Sequence, residues 1–386
     1  MNKKKIIIIS VILFIVLVGI TITSIILLMP KNSTKEEKHI INTDYEVEVY
    51  TNITLKELLE TNIKESIKID TEKLGTKEYE YETQDGEKGT VKVKVVDKTP
   101  PMTMLGDTYY HIQGTNFTIL EDTVCTDNYD ANPKCEVICD ADLSVEGVYD
   151  AKYKIEDSSG NTFEKDFKVQ VVPRTKETKT EMSFEEVLER TKDHKLMIDV
   201  SKWEQDIDWK KVKDSGIEYA FIRLGTEKYN TNEMILDPYF EKNYKEAKAN
   251  GIKVGVYFYT YAKTIEEVEI RANFVVENLK GKEIDLGVAY DFECWEVYNS
   301  LNLSLHKMNS IKDRFMEIIE DNGYRPILYS SKNYLEKMWD VNTDVWLAHY
   351  TKETNYAGEK LMWQFASNAR IPGITVKTVD VSVYYE

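Results

Sequence analysis

Short apolar runs alternate with amphipathic segments of helical periodicity in the last half of the chain, from residue 196 onward. This alternation is typical of an α/β protein, because each helix covers one face of a parallel sheet and returns the chain to the same edge. The predicted strands are 196–200, 219–224, 253–259, 287–291, 326–329, 345–348, 361–365 and 378–383, and the predicted helices are 209–215, 239–250, 265–279 and 305–322. Eight strands predict a TIM-like (β/α) barrel. Too little chain separates the last strands for full helices, so we expect an irregular barrel with incomplete helices at its end.

Three of the predicted strands carry carboxylates at or near their ends. Asp199 lies at the end of the first strand, Asp291 ends the fourth with Glu293 two positions later, and Asp380 lies in the last. Asp291 and Glu293 are two positions apart, so on an extended strand their side chains point to the same side. The carboxyl ends of barrel strands converge on one cleft, which is where barrel enzymes carry their chemistry. Two carboxylates held this close have pKa values that move apart, which leaves one acid and one base.

The same segment carries a set of short motifs in a fixed order. They are Ile-Asp-Val-Ser-Lys-Trp at 198–203 with Ile-Asp-Trp at 207–209, Asp-Pro-Tyr-Phe at 237–240 with Asn243 and Ala247, Gly-Ile-Lys-Val-Gly-Val-Tyr at 251–257, Tyr-Asp-Phe-Glu at 290–293, Val-Trp-Leu-Ala-His-Tyr at 345–350, Trp-Gln at 363–364 and Val-Asp at 379–380. With these motifs, residues 196–386 resemble glycoside hydrolase family 25, the lysozymes of the Chalaropsis type. The resemblance implies an N-acetylmuramidase that cleaves the β-1,4 bond between N-acetylmuramic acid and N-acetylglucosamine in peptidoglycan, with no metal or cofactor.

The resemblance also implies a role for each carboxylate. Glu293 would be the general acid that protonates the leaving oxygen, and Asp291 would stay ionised to stabilise charge on the sugar or its 2-acetamido group. Asp199 and Asp380 would line the same cleft and tune the pKa values of the first two. Glycoside hydrolysis requires one protonated and one ionised carboxyl group beside an oxocarbenium-like centre. Positions this close suit a retaining outcome, by direct attack or with help from the acetamido group.

Six aromatic residues on or just after the predicted strands fit a sugar-binding cleft, where rings stack on pyranose faces. They are Tyr257, Tyr259, Tyr329, Trp346, Tyr350 and Trp363. Core packing is the alternative for each, because aromatic side chains dominate protein cores. Tyr257 and Trp363 are the strongest candidates for contact with substrate. The chain departs from the family pattern at Glu204-Gln205, where Gln-Gly is common, and this departure is expected to alter the first loop.

Two other functions are compatible with a carboxylate-lined barrel. One is a different glycan hydrolase, such as an endo-N-acetylglucosaminidase or a chitinase-like enzyme, although the longer acidic run of chitinases is absent before Asp291. The other is a wall-binding surface protein whose barrel has lost activity. All four carboxylates are present, which disfavours an inactive barrel.

The middle of the chain, residues 39–173, consists of short alternating runs separated by turn residues, a pattern typical of β-sandwiches. We interpret it as two immunoglobulin-like sandwich modules at 39–98 and 99–173. The second resembles the immunoglobulin-like repeats of bacterial surface proteins through its motifs at 127–130, 147–149 and 157–161. Such modules act as spacers or bind a wall or surface protein partner. Cys125 has two possible disulfide partners there, Cys135 and Cys139. Residues 174–195 are a charged linker.

The first 30 residues predict a membrane anchor. Residues 6–29 carry no charge and follow three lysines, so we expect one transmembrane helix that binds the lipid bilayer, with a cytoplasmic amino terminus and extracellular domains after the spacer 31–38. If this segment is instead a cleaved signal, the protein is secreted.

The formal charge of −17 argues against a nucleic-acid partner. The sequence therefore predicts a tethered peptidoglycan hydrolase of a Gram-positive bacterium that acts on wall glycan strands.

Overall fold

The computed structural model describes residues 44–174, 180–229 and 231–385. These residues form two compact units, which meet in the sequence between Val95 and Val96. The predicted membrane anchor at residues 6–29 and the spacer at 31–38 lie outside the described residues. Within the described ranges, no helix is long and apolar enough to cross a membrane.

The first unit is one three-stranded sheet with a short helix packed on it. Its elements are β1 (Asp44–Glu48), α1 (Leu55–Leu59), β2 (Gly75–Glu82) and β3 (Lys88–Val96), and the strand order is β1-β3-β2. Thr54 caps α1 and forms a capping box with Glu57. Val91 and Val93 point from β3 to a core that they share with the α1 leucines. The prediction of a sandwich was wrong here, because a helix rather than a second sheet covers the strands.

Residues 96–173, which we call the β-module, contain two sheets of very different size. The elements are β4 (Met102–Thr103), β5 (Thr108–Ile112), α2 (Ile119–Asp122), β6 (Cys125–Thr126), β7 (Lys134–Cys139), β8 (Gly147–Glu156) and β9 (Thr162–Val172). Four strands form the larger sheet in the order β5-β9-β8-β7, and β4 pairs only with β6. The second immunoglobulin-like sandwich was also predicted wrongly, because a pair of two-residue strands is too short to cover the larger sheet. Cys125 forms a disulfide with Cys135, while Cys139 is free.

The remaining elements build a closed barrel, residues 195–384. They are α3 (Phe184–Thr191), β10 (Lys195–Val200), α4 (Trp209–Asp214), β11 (Tyr219–Lys228), β12 (Glu233–Leu236), α5 (Phe240–Ala249), β13 (Lys253–Tyr259), α6 (Ile265–Leu279), β14 (Gly287–Asp291), a 3₁₀ turn (Trp295–Val297), α7 (Tyr298–Leu301), α8 (Leu305–Asp321), β15 (Pro326–Ser331), α9 (Lys332–Lys337), β16 (Asp344–Ala348), β17 (Met362–Ala369) and β18 (Val379–Tyr384). The ring order is β10-β18-β17-β16-β15-β14-β13-β11, and β10 pairs with β11 to close it.

The predicted TIM-like (β/α) barrel was wrong. A TIM barrel has eight parallel strands, each followed by a helix, whereas β18 runs antiparallel to both of its neighbours, β17 and β10. Within the described residues no helix lies between β16 and β17 or between β17 and β18. All eight predicted strands overlap observed ones, but an apolar run does not encode the direction in which its strand enters the sheet. The short strand β12 was not predicted and forms a hairpin on β11 outside the ring.

The alternation of side chains along each strand sorts the barrel into an inner and an outer core. Met197, Phe221, Trp346 and Met362 point inward and pack on one another, while Ile198, Ile222 and their outward neighbours pack against the helices. Gly255 faces inward on β13, where a Cβ atom would lie 2.5 Å from the Phe221 ring. Glycine is therefore required there so that the ring can fill the barrel. The inward positions nearest the carboxyl ends of the strands are polar.

Candidate active site

A cavity of about 210 Å³ opens at the carboxyl ends of the strands. Its lining residues are Asp199, Arg223, Tyr257, Tyr259, Asp291, Glu293, Tyr329, Trp346 and Asp380. The closed barrel thus brings together all four carboxylates singled out in the sequence, on β10, β18 and the end of β14. A larger and shallower groove of about 1110 Å³ lies at the amino ends of β15 and β16, where Arg325 pairs with Asp344. The smaller cavity is the candidate active site, because it brings together four carboxyl groups that no lysine or arginine among the described residues neutralises in an ion pair.

Aromatic rings form the floor of the cavity. The Trp346 ring lies 4.6 Å from Phe221 and 4.8 Å from Tyr329 between centroids, and Tyr257 meets it edge-on at 6.4 Å. The Trp346 indole N–H donates to Ser382 Oγ at 3.1 Å, which fixes the ring. This packed layer keeps water from reaching the carboxylates from inside the barrel. Loss of hydration disfavours the charged form of a carboxyl group.

Asp291 and Glu293 form the first carboxylate pair, within hydrogen-bonding reach of each other. Asp291 is only 4% exposed, and its Oδ1 has no hydrogen-bond partner among the described residues. Burial raises the pKa of Asp291 well above its usual value, and the charges of Glu293 and Asp199 raise it further. Burial also raises the pKa of Glu293, and hydrogen bonds with Asp291 and Tyr329 limit the rise. The two carboxyl groups therefore share a proton, because both cannot be ionised at low cost in one buried place.

Asp199 and Asp380 form the second pair, directly opposite each other on the antiparallel strands β10 and β18. Burial raises the pKa of Asp380 to about 7, with a further contribution from the charges of Glu204 and Glu293. Burial and the facing Asp380 raise the pKa of Asp199 well above its usual value. Two carboxyl groups in this position share a proton near neutral pH, because the free-energy cost of ionising both in one buried place is high.

Gln364 is the hub that orients this pair. Its amide Nε2 donates to Asp199 Oδ2 at 3.0 Å, and its Oε1 accepts from the hydroxyls of Tyr329 and Tyr350, both at 2.8 Å. Gln364 is almost fully buried, so these bonds replace water for the amide. Tyr350, in turn, is 55% exposed and lies at the rim of the cavity.

The described lining residues include one cation, Arg223, and it is already paired. Its guanidinium contacts Asp237 Oδ2 through Nη2 at 2.7 Å and through Nε at 2.8 Å. Arg223 lowers the pKa of Asp291, but less than burial raises it. One paired guanidinium cannot balance four carboxylates, so the cavity retains protons at neutral pH. A site of this kind suits acid–base chemistry.

Sequence reasoning missed Arg223, Gln364 and the role of Glu204. Glu204 is buried and accepts from the Ser201 backbone N–H at 2.7 Å. Its charge reaches Asp380, as described above. Arg223 could have been found from the sequence, because it is a charged residue inside an otherwise apolar predicted strand. Gln364 could have been found in the same way, because it places an amide in a predicted buried strand beside Trp363.

Trp363 is the one predicted aromatic residue that the structure directs away from the cavity. Its neighbours Met362 and Gln364 point into the barrel, so Trp363 points outward and packs against the outer core. Its indole N–H donates to the His349 carbonyl at 2.8 Å. The prediction of a sugar contact at Trp363 is therefore not supported, whereas Tyr257, Tyr259, Tyr329 and Trp346 line the cavity.

A separate carboxylate cluster lies in the β-module. Ligand atoms of the buried residues Asp97, Asp127 and Asp157 lie within 4.8 Å of one another, and in the described part of the chain this is the group that could hold a metal ion. These carboxylates already accept hydrogen bonds from their surroundings. Asp127 Oδ1 accepts from two backbone N–H groups, Asp157 Oδ1 does the same, and Asp97 Oδ2 accepts from Ser159.

Comparison with known proteins identifies the barrel. Residues 198–374 match the family model for glycosyl hydrolases family 25. These residues form a family 25 glycosyl hydrolase domain. The matched range contains Asp199, Asp291 and Glu293, and Asp380 follows it. The sequence-based prediction of a family 25 domain is confirmed.

Individual relatives cover parts of the chain. An uncharacterized protein of Escherichia coli, YegX, is 26% identical over 204 residues, which are 48% of this chain and 68% of that protein. An autolytic lysozyme of Clostridium acetobutylicum is 23% identical over 184 residues, which are 46% of this chain and 52% of the lysozyme. A solved family 25 glycosyl hydrolase from Bacillus anthracis has a TM-score of 0.42 at 21% identity and covers 50% of this chain and 89% of its own. The modular autolysin LytC of Streptococcus pneumoniae has a TM-score of 0.44 at 26% identity, with coverages of 61% and 56%.

Proposed function

We propose that this protein is a peptidoglycan hydrolase of the lysozyme type, which cleaves the β-1,4 bond between N-acetylmuramic acid and N-acetylglucosamine. The observation that carries the proposal is the Asp291–Glu293 pair, held in a cavity of a family 25 domain. One of the relatives is itself described as an autolytic lysozyme. A second carboxylate pair and a tyrosine-rich wall complete a site suited to a polar, ring-shaped substrate.

Glu293 is the general acid in this proposal, and it shares a proton with Asp291 before substrate binds. Substrate determines which of the two carboxyl groups carries that proton. A sugar seated in the cavity covers the exposed Glu293 carboxyl and raises its pKa, while positive charge at the anomeric carbon lowers the pKa of the buried Asp291 beside it. The shared proton then lies on Glu293 as the bond to the leaving oxygen breaks. Asp291, now ionised, stabilises the oxocarbenium-like centre.

The outcome we propose is retention of configuration at the anomeric carbon. Asp291 and Glu293 lie on the same side of the strand end and within hydrogen-bonding reach of each other. An attacking water molecule therefore does not fit between their carboxyl groups. Asp291 therefore attacks the anomeric carbon or orients the substrate's own 2-acetamido group to do so, and both routes retain configuration. Asp199 and Asp380 accept hydrogen bonds from sugar hydroxyl or amide groups, and Tyr257, Tyr259 and Tyr350 contact the sugar faces.

The deciding experiment uses purified peptidoglycan and identifies the new reducing ends by reduction and mass spectrometry. We expect muramic acid at the new ends with the wild type, and a rate about 10²- to 10⁴-fold lower with Glu293→Gln. Glu277→Gln is the matched control, because Glu277 is an exposed carboxylate on the outer helix α6 that does not line the cavity. Glucosamine at the new ends would identify an endo-N-acetylglucosaminidase instead. Binding to the wall without cleavage would identify a surface-binding protein.

The proposed site of action is the wall outside the cytoplasmic membrane. The Cys125–Cys135 disulfide supports this location, because disulfides persist in oxidising compartments. The uncharged residues 6–29 fit either attachment to the bilayer or export. Labelling of intact cells with a membrane-impermeant reagent, followed by recovery of the protein, tests whether it is exposed outside the membrane.

A further inference from the structure

The segment that follows Glu293 packs against the β-module rather than against solvent. It contains the 3₁₀ turn Trp295–Val297 and helix α7 (Tyr298–Leu301), and it leads into helix α8. We propose that the β-module is a working part of the hydrolase, because it holds this segment, and so Glu293, through contacts with Asn299 and Tyr298. The inference rests on the proposed function, since it concerns the placement of the proposed general acid.

The Asn299 side chain makes three hydrogen bonds to the β-module. Its Oδ1 accepts from the Cys125 N–H at 3.0 Å, and its Nδ2 donates to the carbonyls of Leu120 at 3.0 Å and Thr123 at 2.9 Å. An amide has two donors and an acceptor, so these bonds use each of its groups. All three partners are backbone atoms in the stretch that runs from α2 to β6. The contact therefore fixes the position of that stretch relative to the barrel.

Tyr298 makes a second, fully buried contact. Its side chain is 1% exposed, and its hydroxyl donates to the Leu303 carbonyl at 3.0 Å. The same hydroxyl lies 3.1 Å from Thr126 Oγ1 in the β-module, which must then be the donor of that pair. The chain of bonds from Thr126 through Tyr298 to Leu303 ties β6 to the far end of the segment.

The β-module also caps helix α8. The N–H of Leu305 donates to the Asp127 carbonyl at 2.8 Å, and the N–H of His306 donates to the Asn128 carbonyl at 3.3 Å. These are among the amino-terminal N–H groups that a helix leaves without internal partners. Val124 adds an apolar contact, because it is buried in the outer core of the barrel. A mere spacer would not need to supply partners of this kind.

Packing inside the barrel transmits this support to Glu293. The Trp295 ring stacks on Tyr334 with centroids 3.6 Å apart and planes 7° apart, and it meets the Phe292 ring edge-on at 5.1 Å. Glu293 thus lies between Phe292, which is buried behind the strand, and Trp295, whose position depends on the clamped turn. A carboxyl group that must reach a glycosidic oxygen is sensitive to shifts of about 1 Å, which can reduce the rate by about a hundredfold.

The test compares the full-length wild type with Asn299→Ala on soluble, uncross-linked peptidoglycan strands. We expect kcat to fall about tenfold to a hundredfold with KM changed less than about threefold. The pH above which activity is lost should also be lower in Asn299→Ala than in the wild type. A looser segment lets Glu293 move into water, and burial is the main cause of its raised pKa. A smaller folded fraction would lower kcat equally at all pH values. Asn273→Ala is the matched control, because Asn273 is an exposed asparagine on α6 whose side chain donates to the Glu269 carbonyl one turn earlier.

If Asn299→Ala does not fold, as judged by tryptophan fluorescence, the pair Thr126→Val and Tyr298→Phe decides the matter. Each variant removes one hydroxyl and keeps the shape of the side chain, and we expect each to lower kcat with the same shift of the pH profile. Wild-type kcat and pH profile in these variants would overturn the inference. An inactive wild type, by contrast, would refute the proposed function and not the clamp alone.

Discussion

Replacing Asp380 by Asn should stabilise the barrel at alkaline pH, although it damages the site. The pKa of Asp380 is raised from 3.8 to about 7 in the folded protein, so the native state binds this proton more tightly than the unfolded state does. Native stability therefore falls as the pH rises through that interval, and the full penalty is present above about pH 7. Below about pH 3.8 the carboxyl is protonated in both states and contributes no difference.

The size of the effect follows from the shift. One pKa unit corresponds to about 1.4 kcal/mol, so a rise to about 7 sets an upper limit of about 4 kcal/mol. Asp380 is partly exposed, and solvent reduces the penalty. Removal of its charge also relieves the facing Asp199. We expect Asp380→Asn to raise the free energy of unfolding by about 2 to 4 kcal/mol at pH 8 and by less than about 1 kcal/mol at pH 4.

Urea unfolding followed by tryptophan fluorescence measures this quantity. All six tryptophans lie between residues 203 and 363, so the signal reports the barrel alone. Asp193→Asn, an exposed aspartate just before β10, is the control and should change neither value by more than about 0.5 kcal/mol. Equal increments at both pH values, or a loss of stability at pH 8, would refute the reasoning, because neither result follows from relief of a buried charge.

Three further predictions concern other buried polar groups. Asp291→Asn should reduce kcat and move the high-pH limit of the remaining activity to lower pH, because two buried carboxyl groups hold their last proton more tightly than one does; a pH–rate profile that keeps its limit contradicts this. Gln364→Leu should destabilise the barrel by about 1 to 3 kcal/mol in urea, since it leaves the hydroxyls of Tyr329 and Tyr350 without their acceptor; an unchanged midpoint would argue against the hub. Tyr153→Phe should stabilise the β-module by up to about 1 kcal/mol, because the buried Tyr153 hydroxyl has no partner among the described residues; thermal unfolding by near-UV circular dichroism checks it, and a lower Tm would reveal a missed partner.

The convergence of Asp199 and Asp291 could be predicted from the sequence, because both lie at carboxyl ends of strands that a parallel barrel brings to one opening. Asp380 lies at the amino end of β18, so it joins them only because β18 runs antiparallel. The antiparallel direction of β18 depends on a turn at residues 370–378 that leaves no signature in hydrophobic periodicity. The same limit applied to the first unit, because alternating residues describe a strand covered by a helix as well as one covered by a second sheet.

The sequence could partly predict which strand residues point into the barrel and which point outward. Neighbouring strand residues point to opposite sides, so Trp363 and Gln364 cannot both enter the cavity. A polar amide in an apolar strand is the better candidate for the inner position, where it meets other polar groups. Gln364 takes that position and Trp363 takes the outer one. The contacts between Asn299 and the β-module depend on tertiary packing between distant segments, so no local sequence pattern predicts them.

The seam between β10 and β18 also has a consequence for how the protein folds. The strands that carry Asp199 and Asp380 are far apart in sequence, and closing so long a loop is slow. Until β18 arrives, β10 and β17 each present an unpaired edge to other chains, which is a route to aggregation. The two aspartates face each other only when this pairing forms, so their mutual repulsion is absent from any state that lacks it. Folding intermediates that lack β18 should therefore be free of this repulsion and also free of hydrolase activity.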